Sequence, residues 1–183
     1  MATITGTADD DMLANNAAEA DMISGLAGDD SVSYDLAMDG ADQIDLGAGM
    51  DTVELSATGS TEIRVTFTSA EVGNNNPNDA GTLANQDGGL AVRLQAEDAM
   101  GALMGDIGRA DDEGISFVAA AGTTLDIRDL VSGVARGDQF NVATLGTNVA
   151  DMIDESMETT NYYVNAGQGD DMVMGGSGND FLV

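Results

Sequence analysis

The sequence predicts an all-β fold, a parallel β-roll or β-helix with an inserted β-rich segment. Three observations favour this fold. Units of nine residues rich in glycine and aspartate occur near both ends of the chain. In each unit an aliphatic residue follows the aspartate by two places, as expected where a short strand directs alternate side chains into a core. Between the two groups of units, apolar and polar residues alternate as they do in half-buried strands.

The clearest unit is the last one, residues 175–183, which reads GGSGNDFLV. It fits the pattern G-G-x-G-x-D-x-U-x, where U is a large aliphatic residue, at every defined position. The unit before it, residues 166–174, fits all positions but the first. In this pattern six residues form a tight turn, in which glycine permits backbone angles forbidden to other residues. The turn carbonyls and the aspartate carboxylate are oxygen ligands of the kind that Ca²⁺ prefers.

Five more units lie between residues 4 and 54, and each keeps the aspartate and the aliphatic residue. Because two units make one coil, the aspartates should divide between the two sides of the roll. One side would carry Asp11, Asp30 and Asp51, and the other would carry Asp21 and Asp42. The coils are slightly longer than two regular units, so we expect small bulges that absorb Asn15 and the insertion at residues 34–36.

The turns predict a set of calcium ligands made of aspartate carboxylates and turn backbone groups. The predicted metal-binding residues are Asp11, Asp21, Gly25, Ala27, Gly28, Asp30, Asp42, Gly47, Ala48, Gly49, Asp51, Gly167, Gly169, Asp171, Gly176, Gly178 and Asp180. The units at Asp30, Asp51, Asp171 and Asp180 have the glycines of a good calcium turn. The units at Asp11, Asp21 and Asp42 lack one or more of them, and an aspartate that only caps a turn is the alternative there.

These units resemble the calcium-binding repeats of the RTX (repeats-in-toxin) family, also called haemolysin-type repeats. The resemblance implies an RTX-type β-roll that binds several Ca²⁺ ions. It also implies export from a Gram-negative bacterium by a type I secretion apparatus, without a cleaved N-terminal signal, to the cell surface or medium. In such proteins the secretion signal lies at the extreme C-terminus and consists of an acidic residue followed by apolar ones. The last four residues, Asp180-Phe181-Leu182-Val183, are similar to it.

A second resemblance concerns residues 127–146, which read IRDLVSGVARGDQFNVATLG. This stretch is similar to the segment that follows the β-roll in serralysin-type secreted metalloproteases. The matching positions are Asp129, Leu130, Gly133, Asp138, Phe140, Val142 and Leu145. The sequence departs from that pattern by an added residue or two near Ala135-Arg136, by Asn141 in place of aspartate and by Ala143 in place of serine.

The charge of the chain restricts the kinds of partner that it can bind. It carries 33 acidic and 5 basic residues, a formal net charge of −28, and all the basic residues are arginines between Arg64 and Arg136. Nucleic acids and anionic membranes are therefore disfavoured as partners, because both require a basic surface. Without calcium the carboxylates repel one another, and we expect the chain to be disordered. No apolar run reaches transmembrane length, and residues 1–5 do not resemble a signal peptide.

The middle of the chain predicts strands around residues 63–67, 90–94, 115–119 and 125–130. A polar loop is expected at residues 69–89. Residues 96–108 are ambiguous, because Met100, Leu103, Met104 and Ile107 have helical spacing whereas Gly101 and Gly105 weaken a helix. We therefore divide the chain into N-terminal roll turns (1–61), a β-rich insert (62–150) and C-terminal roll turns with the secretion signal (151–183).

The sequence lacks several residue types that many enzymes use for catalysis. With no histidine, cysteine or lysine there is no H-E-x-x-H zinc site, no histidine-based triad, no thiol chemistry and no Schiff base. The acidic cluster Asp111, Asp112 and Glu113 is better explained as a solvated turn than as an acid–base pair. We therefore expect a protein that is not an enzyme.

Two functions fit these features. In the first, the chain is a secreted structural protein that folds on Ca²⁺ and assembles head-to-tail with copies of itself into a surface layer, matrix or filament. This hypothesis rests on roll turns near both ends, whose open edges would suit a second copy. In the second, the chain is a calcium-dependent binding or adhesion module, and the insert with its loop at residues 69–89 is the recognition part.

Overall fold

The structure is a computed structural model that describes residues 2–15, 21–39, 42–68, 91–96, 99–104, 113–130 and 132–183. Regular structure in these residues is β-strand throughout. The strands are β1 (Thr3–Thr5), β2 (Met12–Leu13), β3 (Met22–Ser24), β4 (Ser31–Asp35), β5 (Gln43–Asp45), β6 (Gly49–Ser56), β7 (Glu62–Thr68), β8 (Ala91–Ala96), β9 (Ala99–Met104), β10 (Glu113–Ala119), β11 (Thr124–Asp129), β12 (Val134–Phe140), β13 (Val142–Leu145), β14 (Met152–Asp154), β15 (Tyr162–Asn165), β16 (Met172–Met174) and β17 (Phe181–Leu182). None of the described residues belongs to a helix of the length and apolarity needed to cross a membrane.

The strands form two large sheets and one separate pair. The eight-stranded sheet has the order β1-β3-β5-β9-β8-β7-β11-β12, and the seven-stranded sheet has the order β17-β15-β13-β10-β6-β4-β2. Strands β14 and β16 pair with each other. The predicted all-β fold with parallel roll turns is confirmed.

The N-terminal roll alternates between the two sheets. Strands β1, β3 and β5 pair in parallel in one sheet, and β2, β4 and β6 pair in parallel in the other. The aliphatic residues of successive units are in register, with Leu13 beside Val32 and Val32 beside Val53. All three are buried, so one residue from each unit builds a continuous apolar stack inside the roll.

The insertion at residues 34–36 does not form the bulge that the sequence predicts. It lengthens β4 instead, and β6 is longer to match, since Tyr34 pairs with Leu55 and Asp35 with Ser56 without a shift in register. Tyr34 and Leu36 are both buried in the core. Extension is favoured over a bulge because it adds two large side chains to the apolar interior.

The insert continues both sheets of the N-terminal roll. Strand β9 pairs in parallel with β5, and β10 pairs in parallel with β6. Strands β7, β8 and β9 form an antiparallel meander, and β11 returns in parallel beside β7. The ambiguous stretch is thus a strand where it is described, at Ala99–Met104. The expected loop at 69–89 and the acidic residues Asp111 and Asp112 lie outside the described residues.

The direction of the roll reverses between the insert and the C-terminal turns. Strand β13 is antiparallel to β10, and β15 and β17 follow β13 in parallel. Neighbouring residues of β15 then face two cores: Tyr163 belongs to the main core, whereas Val164 belongs to a second core with Ile153 of β14. The C-terminal roll is therefore built on the opposite face of the seven-stranded sheet from the main core.

A buried carboxylate ties the C-terminal strands to the insert. Asp129 is 1% exposed, and its Oδ2 accepts hydrogen bonds from Tyr163 Oη at 2.6 Å and Asn165 Nδ2 at 2.7 Å. Its Oδ1 accepts from the Ser132 amide at 2.9 Å. Burial alone would raise the pKa of Asp129, but the donors from Tyr163, Ser132 and Asn165 outweigh it and hold the pKa below its usual value.

Candidate metal centre

The predicted aspartates stand at the same place in the repeating unit, directly before a strand in every turn except that of Asp51, which is the third residue of β6. Asp11, Asp30 and Asp51 line the side of the N-terminal roll that leads into the seven-stranded sheet. Asp21 and Asp42 line the other side, next to β3 and β5. The structure thus brings these five carboxylates together in the two rows that the spacing predicts.

Three of the aspartates accept a hydrogen bond from the backbone of the coil before them. The Asp11 amide donates to Asp30 Oδ1 at 2.8 Å, and the Asp30 amide donates to Asp51 Oδ1 at 2.9 Å. On the other side the Asp21 amide donates to Asp42 Oδ1 at 2.7 Å. One oxygen of each acceptor carboxylate is therefore held by the preceding coil, and the other oxygen of Asp30 faces Gly25 of its own turn.

Where a turn opens with glycine, as at Gly6 and Gly25, that glycine faces a cluster of oxygen atoms. A Cβ atom added to Gly25 would collide with Asp30 Oδ2 of its own turn and with the Leu46 carbonyl oxygen of the next coil. At Gly6 a Cβ atom would lie 2.7 Å from Asp11 Oδ2 and 2.7 Å from the Gly25 carbonyl oxygen. The space in front of this glycine is thus bounded by a carboxylate and by a carbonyl from the following coil.

Glycines farther along the turn bring the backbones of adjacent coils close together. Gly28, Gly47 and Gly49 have φ angles of 111°, 83° and 143°, which favour glycine. A Cβ atom at Gly47 would strike the Leu26 carbonyl, and one at Gly49 would strike the Gly28 carbonyl. Ala27 and Ala48 form a parallel bridge between the two turns. Substitution at these glycines would push apart the carbonyls that line the turns.

In two of the turns a buried carboxylate oxygen has no hydrogen-bond partner. Asp30 and Asp42 are 1% and 0% exposed, and the Oδ2 atom of each is buried without a hydrogen-bond partner. Burial raises the pKa of Asp42 above its usual value, and the nearby charge of Asp21 also raises it. An ionised carboxylate in such a place requires a counter-charge or a donor. The residues therefore fit a hard cation with oxygen ligands, as Ca²⁺ is.

Clusters of carboxylates do not create these sites. In the part of the chain that the structure describes, no three acidic side chains converge in a way that would hold a metal ion. Each turn supplies one principal carboxylate, and backbone carbonyls supply the other oxygens. The ion would offset part of the negative charge and link one coil to the next.

The C-terminal turns repeat this arrangement. Gly167 and Gly169 have φ angles of 98° and 146°, and Asp171 Oδ1 accepts from the Asp151 amide at 3.1 Å. In the last turn Asp180 Oδ1 accepts from the Tyr162 amide at 3.1 Å. Gly176 and Gly178 pack so closely on the carbonyls of residues 158 and 160 that a Cβ atom at either would collide.

The position of the final aliphatic residue differs from the expectation. The pattern places Leu182 in the core, but Leu182 is 46% exposed. Its strand, β17, is at the edge of the seven-stranded sheet and pairs only with β15 among the described strands. Phe181 instead contributes to the main core, where its ring stacks on Tyr163 with a centroid separation of 5.9 Å.

The sequence reasoning missed one unit, residues 146–154, which read GTNVADMID. Its aspartate is Asp151, which precedes β14 as the other aspartates precede their strands. A Cβ atom at Gly146 would meet the Ala166 carbonyl oxygen and Asp151 Oδ2, which is the same oxygen-bounded arrangement. The signal was present, because residues 6–14 read GTADDDMLA with the same spacing. The division at residue 150 cut through the unit and concealed it.

The two units that begin with Gly-Thr hold their aspartate differently from the others. The Thr7 amide and hydroxyl donate to Asp11 Oδ2 at 2.5 and 2.9 Å. The Thr147 amide donates to Asp151 Oδ2 at 2.7 Å and its hydroxyl donates to Asp151 Oδ1 at 2.9 Å. In the unit of Asp30 the equivalent residue is Leu26, which has no hydroxyl. We call the units at residues 6–14 and 146–154 the threonine-closed turns.

A polar cleft lies beside strand β7, at the start of the insert. It has a volume of about 560 Å³ and is lined by Ser60, Thr61, Glu62, Arg64, Gln95 and Ala96. The Arg64 side chain is 47% exposed, and its Nε donates to the buried Asp126 Oδ2 at 2.9 Å. Arg128 Nη2 donates to the same oxygen at 3.0 Å.

A glycine substitution tests the turn geometry directly. Gly25→Ala adds a methyl group where Asp30 Oδ2 and the Leu46 carbonyl oxygen converge. We expect Ca²⁺ affinity at this site to fall roughly 10- to 100-fold, comparable to other disturbances of a metal site's support, as measured by isothermal titration calorimetry. Gly137→Ala is the matched control, because a Cβ atom there meets nothing within 4 Å. Equal calcium binding by the two variants would contradict the assigned site.

Comparison with known protein families agrees with the geometry of the turns. A family model described as the RTX calcium-binding nonapeptide repeat (4 copies) matches two stretches of the chain, residues 17–53 and 163–182. Searches of curated proteins and of solved structures give no significant match. The serralysin-like resemblance of residues 127–146 has no support from these comparisons and stays a prediction.

Proposed function

We propose that this chain, whose RTX calcium-binding nonapeptide repeats bind Ca²⁺ at multiple sites, is a secreted, non-catalytic structural protein. It folds on Ca²⁺ after export by a type I apparatus. It then assembles head-to-tail with copies of itself into a surface layer, matrix or filament.

An incomplete calcium turn at one edge of the roll carries this proposal. At Gly6, Gly25 and Gly146 the space in front of the glycine is bounded by the aspartate and by a carbonyl of the following coil. At Gly175 the three nearest atoms all belong to Asp180, with Oδ2 at 2.7 Å from an added Cβ atom, and none of the three is a carbonyl oxygen of another coil. The first turn of a second copy would supply the missing oxygen.

The reversal of the roll determines how two copies would meet. Strands β2 and β17 are opposite edges of the seven-stranded sheet, and they run in opposite directions because β13 is antiparallel to β10. Simple translation would therefore pair β17 with β2 antiparallel and separate their turns. A half-turn about the roll axis makes the two strands parallel. It also brings the N-terminal core of the second copy to the side of the sheet that holds the C-terminal core of the first.

Charge makes such an assembly depend on calcium. Two chains that each carry a formal charge of −28 repel one another. A divalent ion shared between the Asp180 turn of one copy and the first turn of the next would offset this repulsion at the contact itself. We therefore expect assembly to appear only when calcium is sufficient to fill the edge site as well as the internal ones.

Asp180→Asn tests the edge contact. The amide oxygen can still accept from the Tyr162 amide, but the carboxylate charge is lost. We expect the wild type to form particles in millimolar Ca²⁺ that dissolve in EDTA, and the variant to stay folded by circular dichroism but monomeric by analytical ultracentrifugation. Asp30→Asn, in an internal turn, is the control and should weaken calcium binding without abolishing particles. A wild type that stays monomeric at high protein and calcium concentrations would end the assembly proposal.

A second candidate function is a calcium-dependent adhesion module. The polar cleft at Arg64 favours it, because this cleft combines a half-exposed guanidinium with hydroxyl, amide and carboxylate groups on strands of the insert. Capture of a glycan on an array by a chain that remains monomeric in calcium would favour this function over assembly.

A further inference from the structure

Three methionines form a compact group on the outer face of the C-terminal roll. Met152 and Met172 are direct neighbours in the parallel pairing of β14 and β16. Met174 is two residues beyond Met172 and lies on the same face, because Val173 between them faces the second core. These side chains are 74%, 56% and 36% exposed. We call them the methionine face.

The register keeps the three thioethers within reach of one another. Neighbouring strands lie about 4.8 Å apart, and residues two apart on a strand are about 6.6 Å apart. Methionine has three rotatable bonds, so sulfur atoms attached at these points can turn toward a common centre. The fourth position of this two-by-two array is Asp154, which pairs with Met174 and adds an exposed carboxylate.

The chemistry of this face differs from that of the calcium turns. Thioether sulfur is a soft, uncharged ligand that selects monovalent copper and similar ions, whereas Ca²⁺ takes oxygen. The strongly acidic chain attracts cations in general, and Asp154 adds a local negative charge at the edge of the group. The two most exposed methionines among the described residues lack this arrangement: Met12 pairs with Ser31 in its sheet, and Met157 lies outside any strand.

We propose that Met152, Met172 and Met174 form a binding site for a soft monovalent cation of the Cu⁺ and Ag⁺ class. The site is separate from the calcium turns, since Asp151 and Asp171 occupy the ends of the same strands while the methionines occupy their outer face. Folding on calcium aligns β14 with β16 and thereby creates the site. Binding is coordination only, without electron transfer.

Silver is the probe of choice because Ag⁺, unlike Cu⁺, is not oxidised in air and has the same ligand preference. The protein is titrated with Ag⁺ in chloride-free buffer containing saturating Ca²⁺, and binding is followed by calorimetry and by the methionine methyl resonances in NMR spectra. We expect one tight equivalent, with the methyl signals of the three residues shifting together. The triple variant Met152→Leu, Met172→Leu, Met174→Leu should bind Ag⁺ at least roughly ten-fold more weakly.

A control variant removes the same number of exposed thioethers elsewhere. Met12→Leu, Met38→Leu, Met157→Leu should bind like the wild type, because these residues are exposed but not grouped. Equal losses in the two triple variants would overturn the proposal, since the methionines would then act singly. Unchanged binding in the first variant would overturn it as well. If that variant fails to give its calcium-dependent circular dichroism spectrum, the wild-type methyl shifts decide: separate titration of the three signals contradicts a shared site.

Discussion

In the presence of a chelator the chain is expected to lose its β-sheet circular dichroism and to expand, and added Ca²⁺ is expected to restore both. The physical reason is the pair of buried carboxylates at Asp30 and Asp42, whose Oδ2 atoms have no hydrogen-bond donor. A chain with a formal charge of −28 has few internal cations to replace the ion, since it contains only 5 basic residues.

The expected size of this effect is large compared with ordinary protein stability. A ligand that binds only the folded state at 100 times its dissociation constant stabilises that state by about 2.7 kcal/mol per site. A handful of such sites would contribute roughly 10 kcal/mol, which is comparable to the whole stability of a typical domain, about 5–15 kcal/mol. Removal of calcium should therefore unfold the roll rather than loosen it.

Two controls separate coordination from simple screening of charge. Mg²⁺ should not replace Ca²⁺, because it demands a tighter octahedral shell and gives up water reluctantly. High concentrations of NaCl screen repulsion but cannot bridge carbonyls, so they should restore little structure. The same β-rich spectrum and melting temperature in EDTA as in calcium would show that the metal is not needed for folding.

The second large effect is expected at Asp129, far from the calcium turns. In the native protein Tyr163, Asn165 and Ser132 all donate hydrogen bonds to the Asp129 carboxylate. Asp129→Asn places an amide nitrogen, itself a donor, among these donors. Breaking a buried charged network of this kind costs about 3–5 kcal/mol. Urea unfolding at saturating calcium should show this loss. Asp154→Asn, at a fully exposed carboxyl, is the control and should have a much smaller effect.

The contribution of the Asp129 carboxylate to the free energy of unfolding should decrease as the pH falls. Its hydrogen bonds hold the folded pKa below the unfolded one, so its stabilising contribution is fully present above the unfolded value, about 3.9. That contribution is lost as the pH falls through the folded pKa. The gap in stability between wild type and Asp129→Asn should therefore be constant near neutral pH and close under strongly acid conditions. A gap that widened on acidification would contradict the assigned ionisation state.

The calcium turns are predictable from the sequence because their chemistry is local. The interval between the aspartate and the aliphatic residue fixes which side chain enters the core, and two units per coil fix which aspartates share a side. Asp30 and Asp51 therefore lie where the spacing puts them. Residues 146–154 show the limit of this reasoning, since Val149 stands where five of the seven predicted units have glycine, and the unit is recognised more easily by the pairing of its strand with that of residues 166–174.

The reversal of the roll has no comparable signal in the sequence. It depends on β10 pairing with β6 on one side and with β13 on the other, which is a choice between distant strands. Residues 34–36 illustrate the same difficulty, because a bulge and a longer strand use the same residues and only the matching length of β6 decides between them. Local spacing also fails for β9, where sheet pairing with β5 and β8 prevails over helical periodicity.

In each roll, the threonine-closed turn and the other turns depend on calcium to different degrees. The hydroxyl groups of Thr7 and Thr147 donate hydrogen bonds to the aspartates of their own turns. These two turns can therefore form when little calcium is present. Each one stands at the first coil of its roll, ahead of a bend that depends on metal. We therefore expect these two turns to need the ion less than the turns that follow them.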